Sequence, residues 1–197
     1  IEYQKVYRKH IKSLKFLPFE SPILKYRDKA IKVKVDVSGM EYIKLVVDGT
    51  IDGNRKDHAA WGNARFIDAK GIELSADQVP VWKESQGYGS LTFDNNLIGS
   101  EIVIASNPFD EGIAMHAEGI AIFKLDKKFR TFAAEVGIEQ KGGDRNSSVI
   151  FKVEDAKSDL LFHELESEFP METRLFKKYA LKSAGSLLGS DSQRIIA

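Results

Sequence analysis

The sequence predicts an all-β fold, an antiparallel β-sandwich of the jelly-roll kind, from three observations. Several short segments rich in Val, Ile and Phe recur along the chain, and these residue types favour strands. Turn-forming residues separate the segments, at a spacing of roughly 10–15 residues. Helical periodicity is scarce between them, which argues against a parallel α/β sheet.

The clearest strand signal is the strict alternation of apolar and polar residues over 31–37. Such alternation places the two kinds of side chain on opposite faces of a half-buried strand. Ser38 and Gly39 then favour a turn, and residues 42–47 form a second strand, apolar enough to be covered on both faces. We expect these two strands to pair as an antiparallel hairpin.

The same signals predict four more strands and one helix. The strands are at residues 101–105, 119–125, 131–137 and 148–153. The helix covers residues 171–183, after Pro170, because Leu175, Tyr179 and Ser183 recur every four residues. We therefore divide the chain into an N-terminal extension or edge strand (1–29), a sandwich (30–168) and a C-terminal helix or linker (169–197).

Composition excludes several classes of partner and chemistry. The 29 basic and 29 acidic residues cancel, so the chain lacks the positive charge of a protein that follows nucleic-acid phosphates. Without cysteine it has no disulfides, thiolate metal sites or thiol nucleophiles. No apolar run approaches the ~20 residues that cross a bilayer. We expect neither nucleic acid nor a membrane as partner.

Residues 52–65 are predicted to form a long loop with an unusual composition. A sugar-binding site needs a flat aromatic surface together with fixed hydrogen-bond donors and acceptors. Trp61 offers the surface, and the polar contacts would come from Asp57, His58, Asn63 and Arg65. The alternative interpretation is that Trp61 packs in the core while Asp57 and His58 fix the loop.

Residues 109–119 form a second predicted loop, in which small residues and glycines surround His116. Such neighbours leave the backbone accessible, so His116 could approach a ligand closely; a buried structural histidine is the competing interpretation. Trp82 and Tyr88 lie between the two loops in sequence, and either lines the site or fills the edge of the sandwich.

Metal binding and catalysis have weaker support. Asp52, Asn54 and Asp57 offer oxygens suited to calcium, but Arg55 and Lys56 interrupt them and the calcium-loop glycine and terminal glutamate are absent. The four histidines show no zinc spacing.

Glycoside cleavage needs two carboxylates, which Asp57, Glu111 and Glu118 offer, but among 29 acidic residues some such pair is inevitable. We expect no cofactor, with calcium as the exception to test, and no enzyme activity.

Four stretches resemble the NPCBM family of carbohydrate-binding modules, which are found beside glycoside hydrolase catalytic domains. They are residues 35–39, 57–64, 112–117 and 129–138, and the resemblance covers roughly residues 30–165. It implies a galactose-binding-like jelly roll that holds glycans in loops at one end, next to a glycoside hydrolase domain. It also implies a secreted or periplasmic protein, although the N-terminus shows no signal-peptide pattern.

Two features depart from the family pattern. Glu139 stands where the family usually has Asp. The order of motifs is also inverted, because the segment around His116 follows the segment around Trp61 instead of preceding it. Either the sandwich is circularly permuted, or the chain joins halves of two modules; we favour permutation, since β-sandwich termini lie at the surface.

The sequence therefore predicts a non-catalytic, glycan-binding accessory module. The alternative is a structural or protein-interaction sandwich without a sugar site, which burial of both Trp61 and His116 would favour. A glycoside hydrolase is the third hypothesis.

Overall fold

The computed structural model describes residues 16–168. Residues 14–156 form one compact unit, and the helix belongs to a separate unit. In chain order the elements are β1 (Phe19–Glu20), β2 (Leu24–Lys25), β3 (Ile31–Asp36), β4 (Tyr42–Gly49), β5 (His58–Asp68), β6 (Glu73–Ser75), a short 3-10 helix (Ala76–Gln78), β7 (Val81–Ser85), β8 (Thr92–Phe93), β9 (Ile102–Ile104), β10 (Asn107–Phe109), β11 (Gly112–His116), β12 (Gly119–Lys124), β13 (Phe129–Ile138), β14 (Ser148–Asp155) and α1 (Lys157–Glu168).

Two antiparallel sheets make the predicted sandwich. The first sheet has the strand order β1-β14-β4-β12-β7, with β2 also paired to β14. The second sheet has the order β3-β13-β5-β11-β8, with β6 paired to β5. Because β13 pairs with β3 and β5, and β14 pairs with β4, both halves of the chain contribute to each sheet. The strands therefore form one sandwich; its permutation relative to the family stays a prediction.

The core lies between the sheets and follows the alternation read from the sequence. In β3, Val33 and Val35 are buried while Lys32 and Lys34 are exposed. Large aromatic side chains fill the centre, each fully buried: Trp61, Phe66, Phe123, Phe132 and Phe151. Burial of an apolar side chain of this kind stabilises a fold by about 1.5–3 kcal/mol, so these residues dominate the stability of the sandwich.

The predicted hairpin of the first two long strands is wrong. β3 lies in the second sheet and β4 in the first, so the connection crosses the sandwich. Val37 and Met40 are buried in that connection, and the Met40 N–H donates to the Val37 carbonyl at 3.1 Å. Alternation identifies the buried face of a strand but not its neighbour, and this is why the pairing was missed.

The other strand predictions are confirmed, as β4, β9, β12, β13 and β14. The predicted helix at residues 171–183 lies outside the described residues, and α1 was not predicted. Within residues 16–168, no helix is long and apolar enough to cross a bilayer.

Both predicted loops are in large part strands, which corrects the sequence analysis. β5 begins at His58, and β11 covers Gly112–His116. These segments show no alternation because they are buried on both faces: the β9–β10 hairpin covers the outer side with Ile102, Ile104 and Phe109. A Cβ at Gly62 would overlap the Phe109 ring, so small residues here permit close packing of the hairpin.

Four connections between the sheets meet at one end of the sandwich, which we call the loop end. The strand register establishes this: His116 lies opposite His58, Val149 opposite Gly49, and Ile120 opposite Ser85. The connections of the loop end are β4–β5 (50–57), β7–β8 (86–91), β11–β12 (117–118) and β13–β14 (139–147).

Candidate functional site

The loop end brings together four of the residues predicted for ligand binding. Asp57 immediately precedes β5 and His58 begins it, His116 ends β11, and Tyr88 belongs to the β7–β8 connection. The imidazoles of His58 and His116 are neighbours because the two residues are paired across antiparallel strands. Their ring centroids are 5.2 Å apart, in an edge-to-face arrangement.

Tyr88 lies against this pair of imidazoles. Its ring centroid is 5.6 Å from that of His116 and 6.1 Å from that of His58. Tyr88 is 60% exposed, whereas each histidine is 6% exposed. Among the side chains described between residues 16 and 164, it is the only exposed aromatic one. We call Tyr88 with its two supporting imidazoles the platform.

Gln86 connects the platform to the sheet. Its Oε1 accepts a hydrogen bond from the His116 N–H at 3.0 Å, two residues before Tyr88. The Nε2 of Gln86 is buried without a hydrogen-bond partner in the structure. The β7–β8 connection is thus attached to the end of β11, which supports the position of the Tyr88 ring. Sequence reasoning missed Gln86, because a single glutamine after a strand carries no recognisable pattern.

The two histidines are in different hydrogen-bonding states. Nδ1 of His116 is hydrogen-bonded to the Ala117 carbonyl. Nδ1 of His58 is buried without a partner, and a Cβ at Gly142 would overlap the His58 ring. Burial, together with the neighbouring His116, lowers the pKa of His58. A neutral His58 is therefore favoured at neutral pH, and its ring serves as an apolar support.

Asp57 joins the β4–β5 and β11–β12 connections to the start of β14 from a buried position. It is 1% exposed, and its Oδ1 accepts from the Ser148 N–H at 3.0 Å while its carbonyl accepts from the Ala117 N–H at 3.1 Å. Its Oδ2 is buried without a partner. Burial, with further contributions from Asp52 and Asp144, raises the pKa of Asp57 to about 6. The buried Asp57 therefore stabilises the loop end and is not exposed to contact a sugar.

A polar hollow of about 290 Å³ opens at the same end. It is lined by Asp52, Gly53, Arg55, Asp144 and Asn146. The β4–β5 side of the hollow is held by Ser148, whose Oγ lies 3.0 Å from both Asp52 carboxylate oxygens and 2.5 Å from Thr50 Oγ1. Of these lining residues only Asp52 was a candidate from the sequence.

Asn54 separates the hollow from the platform. It stands between Gly53 and Arg55 in the chain, and a Cβ at Gly87 would lie 2.9 Å from its Nδ2. Gly87 immediately precedes Tyr88. The hollow and the platform are therefore adjacent, with the Asn54–Gly87 contact between them.

Trp61 is not the ligand platform, which corrects the first prediction for this residue. Its side chain is fully buried, with ring centroids 5.1 Å from Phe151 and 5.9 Å from Phe132. β5 is covered on both faces at this point, so the indole packs between the sheets. The core interpretation of Trp61 is the one that the structure bears out.

Three other predicted ligand contacts lie away from the loop end. Asn63 stands in the middle of β5 with φ +50°, and the Arg65 guanidinium pairs with Glu73 at 3.0 Å. Arg65 is seven residues along the strand from His58, or about 23 Å at 3.3 Å per residue. Trp82 packs edge-on against Tyr42, with centroids 5.7 Å apart, and Tyr42 begins β4 at the opposite end. The prediction that Asn63, Arg65 and Trp82 contact the same ligand as the loop-end residues is therefore wrong.

The calcium candidates Asp52, Asn54 and Asp57 all belong to the β4–β5 connection. Asp52 is engaged by Ser148 and Asp57 by the Ser148 N–H. In residues 16–168, no group of three His, Cys, Asp or Glu side chains is placed to hold a metal ion. Calcium binding stays a prediction from sequence spacing.

Comparison with known proteins gives one match. The family model for the NPCBM/NEW2 domain matches residues 16–67 and 73–167. No curated protein and no solved structure matches the chain significantly. The family match spans both sheets and all four connections of the loop end. The chain therefore belongs to the NPCBM/NEW2 domain family, a family of candidate carbohydrate-binding modules that are generally non-catalytic.

Proposed function

We propose that this chain is a non-catalytic glycan-binding module whose ligand binds at the loop end. The observation that carries the proposal is the platform: an exposed Tyr88 with two buried imidazoles packed against its ring. The C–H face of a sugar packs on a flat aromatic ring, and a ring that is already held in place loses little entropy on binding. Family membership supports the same conclusion.

The residues act differently from what their types alone suggest. Tyr88 is the stacking surface, in place of Trp61. His58 and His116 support the ring, and Asp57 joins the connections that surround it. Only solvent-exposed side chains beside the platform are available to hydrogen-bond the hydroxyl groups of a sugar.

The test is a glycan array followed by titration calorimetry on the chain, with Tyr88→Ala as the variant. We expect millimolar or tighter binding to at least one glycan, and a roughly tenfold loss in the variant, in line with the energy of a ring contact. Ile72→Ala is the matched control, because Ile72 is 54% exposed in the β5–β6 turn, at the opposite end. An array without any bound glycan at millimolar concentration contradicts the proposal.

A second function has a specific observation in its favour. Trp61 is 0% and His116 is 6% exposed, and their joint burial is what a structural or protein-interaction sandwich without a sugar site predicts. The array separates the two functions, because a purely structural sandwich binds no glycan and does not require an exposed Tyr88.

We infer the neighbouring domain and the cellular location from the family alone. A glycoside hydrolase domain beside this module, and export to the cell exterior or periplasm, are both typical of the resemblance. A module that raises the local concentration of substrate would increase turnover of insoluble glycan by such an enzyme without changing turnover of a small soluble substrate. Measuring both rates with and without the module tests this role.

A further inference from the structure

The hollow and the platform together suggest the size and charge of the ligand, an inference that rests on the proposed function. The platform presents one exposed ring, which accommodates one sugar. The hollow measures about 290 Å³, at the lower limit of the roughly 300–1,000 Å³ of pockets that take drug-sized molecules. It therefore suits one small polar ring and not an entire oligosaccharide.

The adjacency of the two features indicates that they act on one ligand. Asn54 belongs to the segment that lines the hollow, and it contacts the backbone beside Tyr88 at Gly87. Neighbouring sugars in a glycan are joined by a single glycosidic oxygen, so two adjacent rings need two adjacent subsites. A ligand that occupies only the platform would leave the hollow unused.

The lining of the hollow favours hydroxyl groups and disfavours an anionic sugar. Asp52 and Asp144 present carboxylate acceptors, while Arg55 presents up to five N–H donors. Among the residues that the structure describes, Arg55 has no ion-pair partner within 4 Å, so its donors are available. A hydroxyl group both donates and accepts, and can satisfy the acids and the guanidinium together. Because two aspartates stand against one guanidinium, the lining carries a net negative charge, which disfavours an anionic sugar.

The hollow is also held in shape without a ligand. Ser148 Oγ lies 3.0 Å from both Asp52 oxygens, and the Asp144 Oδ1 accepts from the Asn146 N–H at 2.8 Å. Both walls are thus fixed by hydrogen bonds within the chain. A preformed subsite binds with less loss of conformational entropy than one that must fold around its ligand.

We propose that the loop end binds a non-acidic glycan of at least two sugar units, with one ring on Tyr88 and its neighbour in the hollow beside Arg55. Two subsites on one ligand make the second contact intramolecular, which raises the affinity for a linked pair of sugars above that for either sugar alone.

The experiment compares disaccharides with their own component monosaccharides by titration calorimetry on the whole chain. The panel contains galactose with lactose, glucose with cellobiose, mannose with mannobiose, and N-acetylglucosamine with chitobiose, extended by any glycan that the array identifies. We expect at least one disaccharide to bind tenfold or more tightly than both of its components. Glucuronic acid should bind more weakly than the neutral monosaccharides.

Two variants assign the subsites. Arg55→Ala should reduce the affinity of that disaccharide to about the affinity of the monosaccharide, whereas Tyr88→Ala should weaken both ligands. Arg130→Ala is the matched control, because Arg130 is exposed at the start of β13, at the opposite end. Unfolding midpoints equal to the wild type would show that each variant folds.

The outcomes separate the two proposals. Equal affinity for disaccharide and monosaccharide, or a disaccharide advantage that survives Arg55→Ala, overturns the two-subsite inference and leaves the glycan-binding function standing. Failure of every saccharide on the array and in the panel to bind overturns both.

Discussion

The interior of the sandwich and the loop end use the same residue types in opposite ways. Trp61 is fully buried between Phe132 and Phe151, while Tyr88 is 60% exposed over two histidines. Glu139 and Asp57 are both 1% exposed, yet Glu139 has both oxygens occupied and Asp57 leaves Oδ2 without a partner. Residue type therefore identifies candidates, and only the environment separates those that stabilise the fold from those available for binding.

Glu139 shows what a satisfied buried carboxylate looks like. Its Oε2 accepts from the Gly142 N–H at 2.7 Å, and its Oε1 accepts from the N–H groups of Lys141 at 3.2 Å and Val103 at 3.4 Å. Three donors from two segments converge on this one side chain. The glutamate that departs from the family pattern thus organises the turn after β13 and anchors β9.

The largest effect should follow from truncating the interior aromatic. Trp61→Ala removes a fully buried indole, and such changes lower the free energy of unfolding by about 3–5 kcal/mol because they also leave a cavity. Urea unfolding followed by circular dichroism measures the loss. A loss below about 1 kcal/mol would contradict the placement of Trp61 in the core.

The next largest effect concerns how the free energy of unfolding depends on pH, which should distinguish Asp57 from Glu139. The pKa of Asp57 is about 6 in the folded chain, above the ordinary 3.8, so the folded state binds the proton more tightly. Its stabilising contribution is present below about pH 4 and is lost as the pH rises through about 6. We expect Asp57→Asn to remove this part of the decline, on the order of 2 kcal/mol, in urea unfolding between pH 4 and 7.

Glu139→Gln is the matched control for that pH series. It should lower stability by about 1–3 kcal/mol, because an amide NH2 would face backbone donors that now have an acceptor. His58, whose pKa is lowered, contributes in the opposite direction, since its stabilisation is lost as the pH falls; the Asp57→Asn difference isolates the aspartate. Parallel stability curves for wild type and Asp57→Asn would contradict a raised pKa of Asp57 as the cause of this decline.

The smallest effect should come from the platform itself. Tyr88 is mostly exposed, so Tyr88→Ala should change the free energy of unfolding by no more than about 0.5 kcal/mol, in contrast to Trp61→Ala. Thermal unfolding of the two variants side by side makes the comparison. A large destabilisation by Tyr88→Ala would indicate that the ring stabilises the fold rather than serving a ligand.

Much of the fold was predictable, because β3, β12, β13 and β14 show apolar–polar alternation or are bounded by turn residues. β5 and β11 were missed since they are covered on both faces and are rich in small residues, which erases alternation. The site was predicted in part: Asp57, His58, Tyr88 and His116 converge, while Asn63, Arg65 and Trp82 do not. The hollow was missed because Arg55 and Asp144 lie 89 residues apart in the chain, and only the crossing of β4–β5 and β13–β14 at one end makes them neighbours.

The most direct test of the central claim maps the ligand by NMR on the isotope-labelled chain, using the tightest-binding glycan from the array. We expect amide shifts to cluster in residues 50–57, 86–91 and 139–147, and the aromatic protons of Tyr88 to shift with the same titration midpoint. Shifts confined to the opposite end, around Ile72 and Arg130, would contradict ligand binding at the loop end.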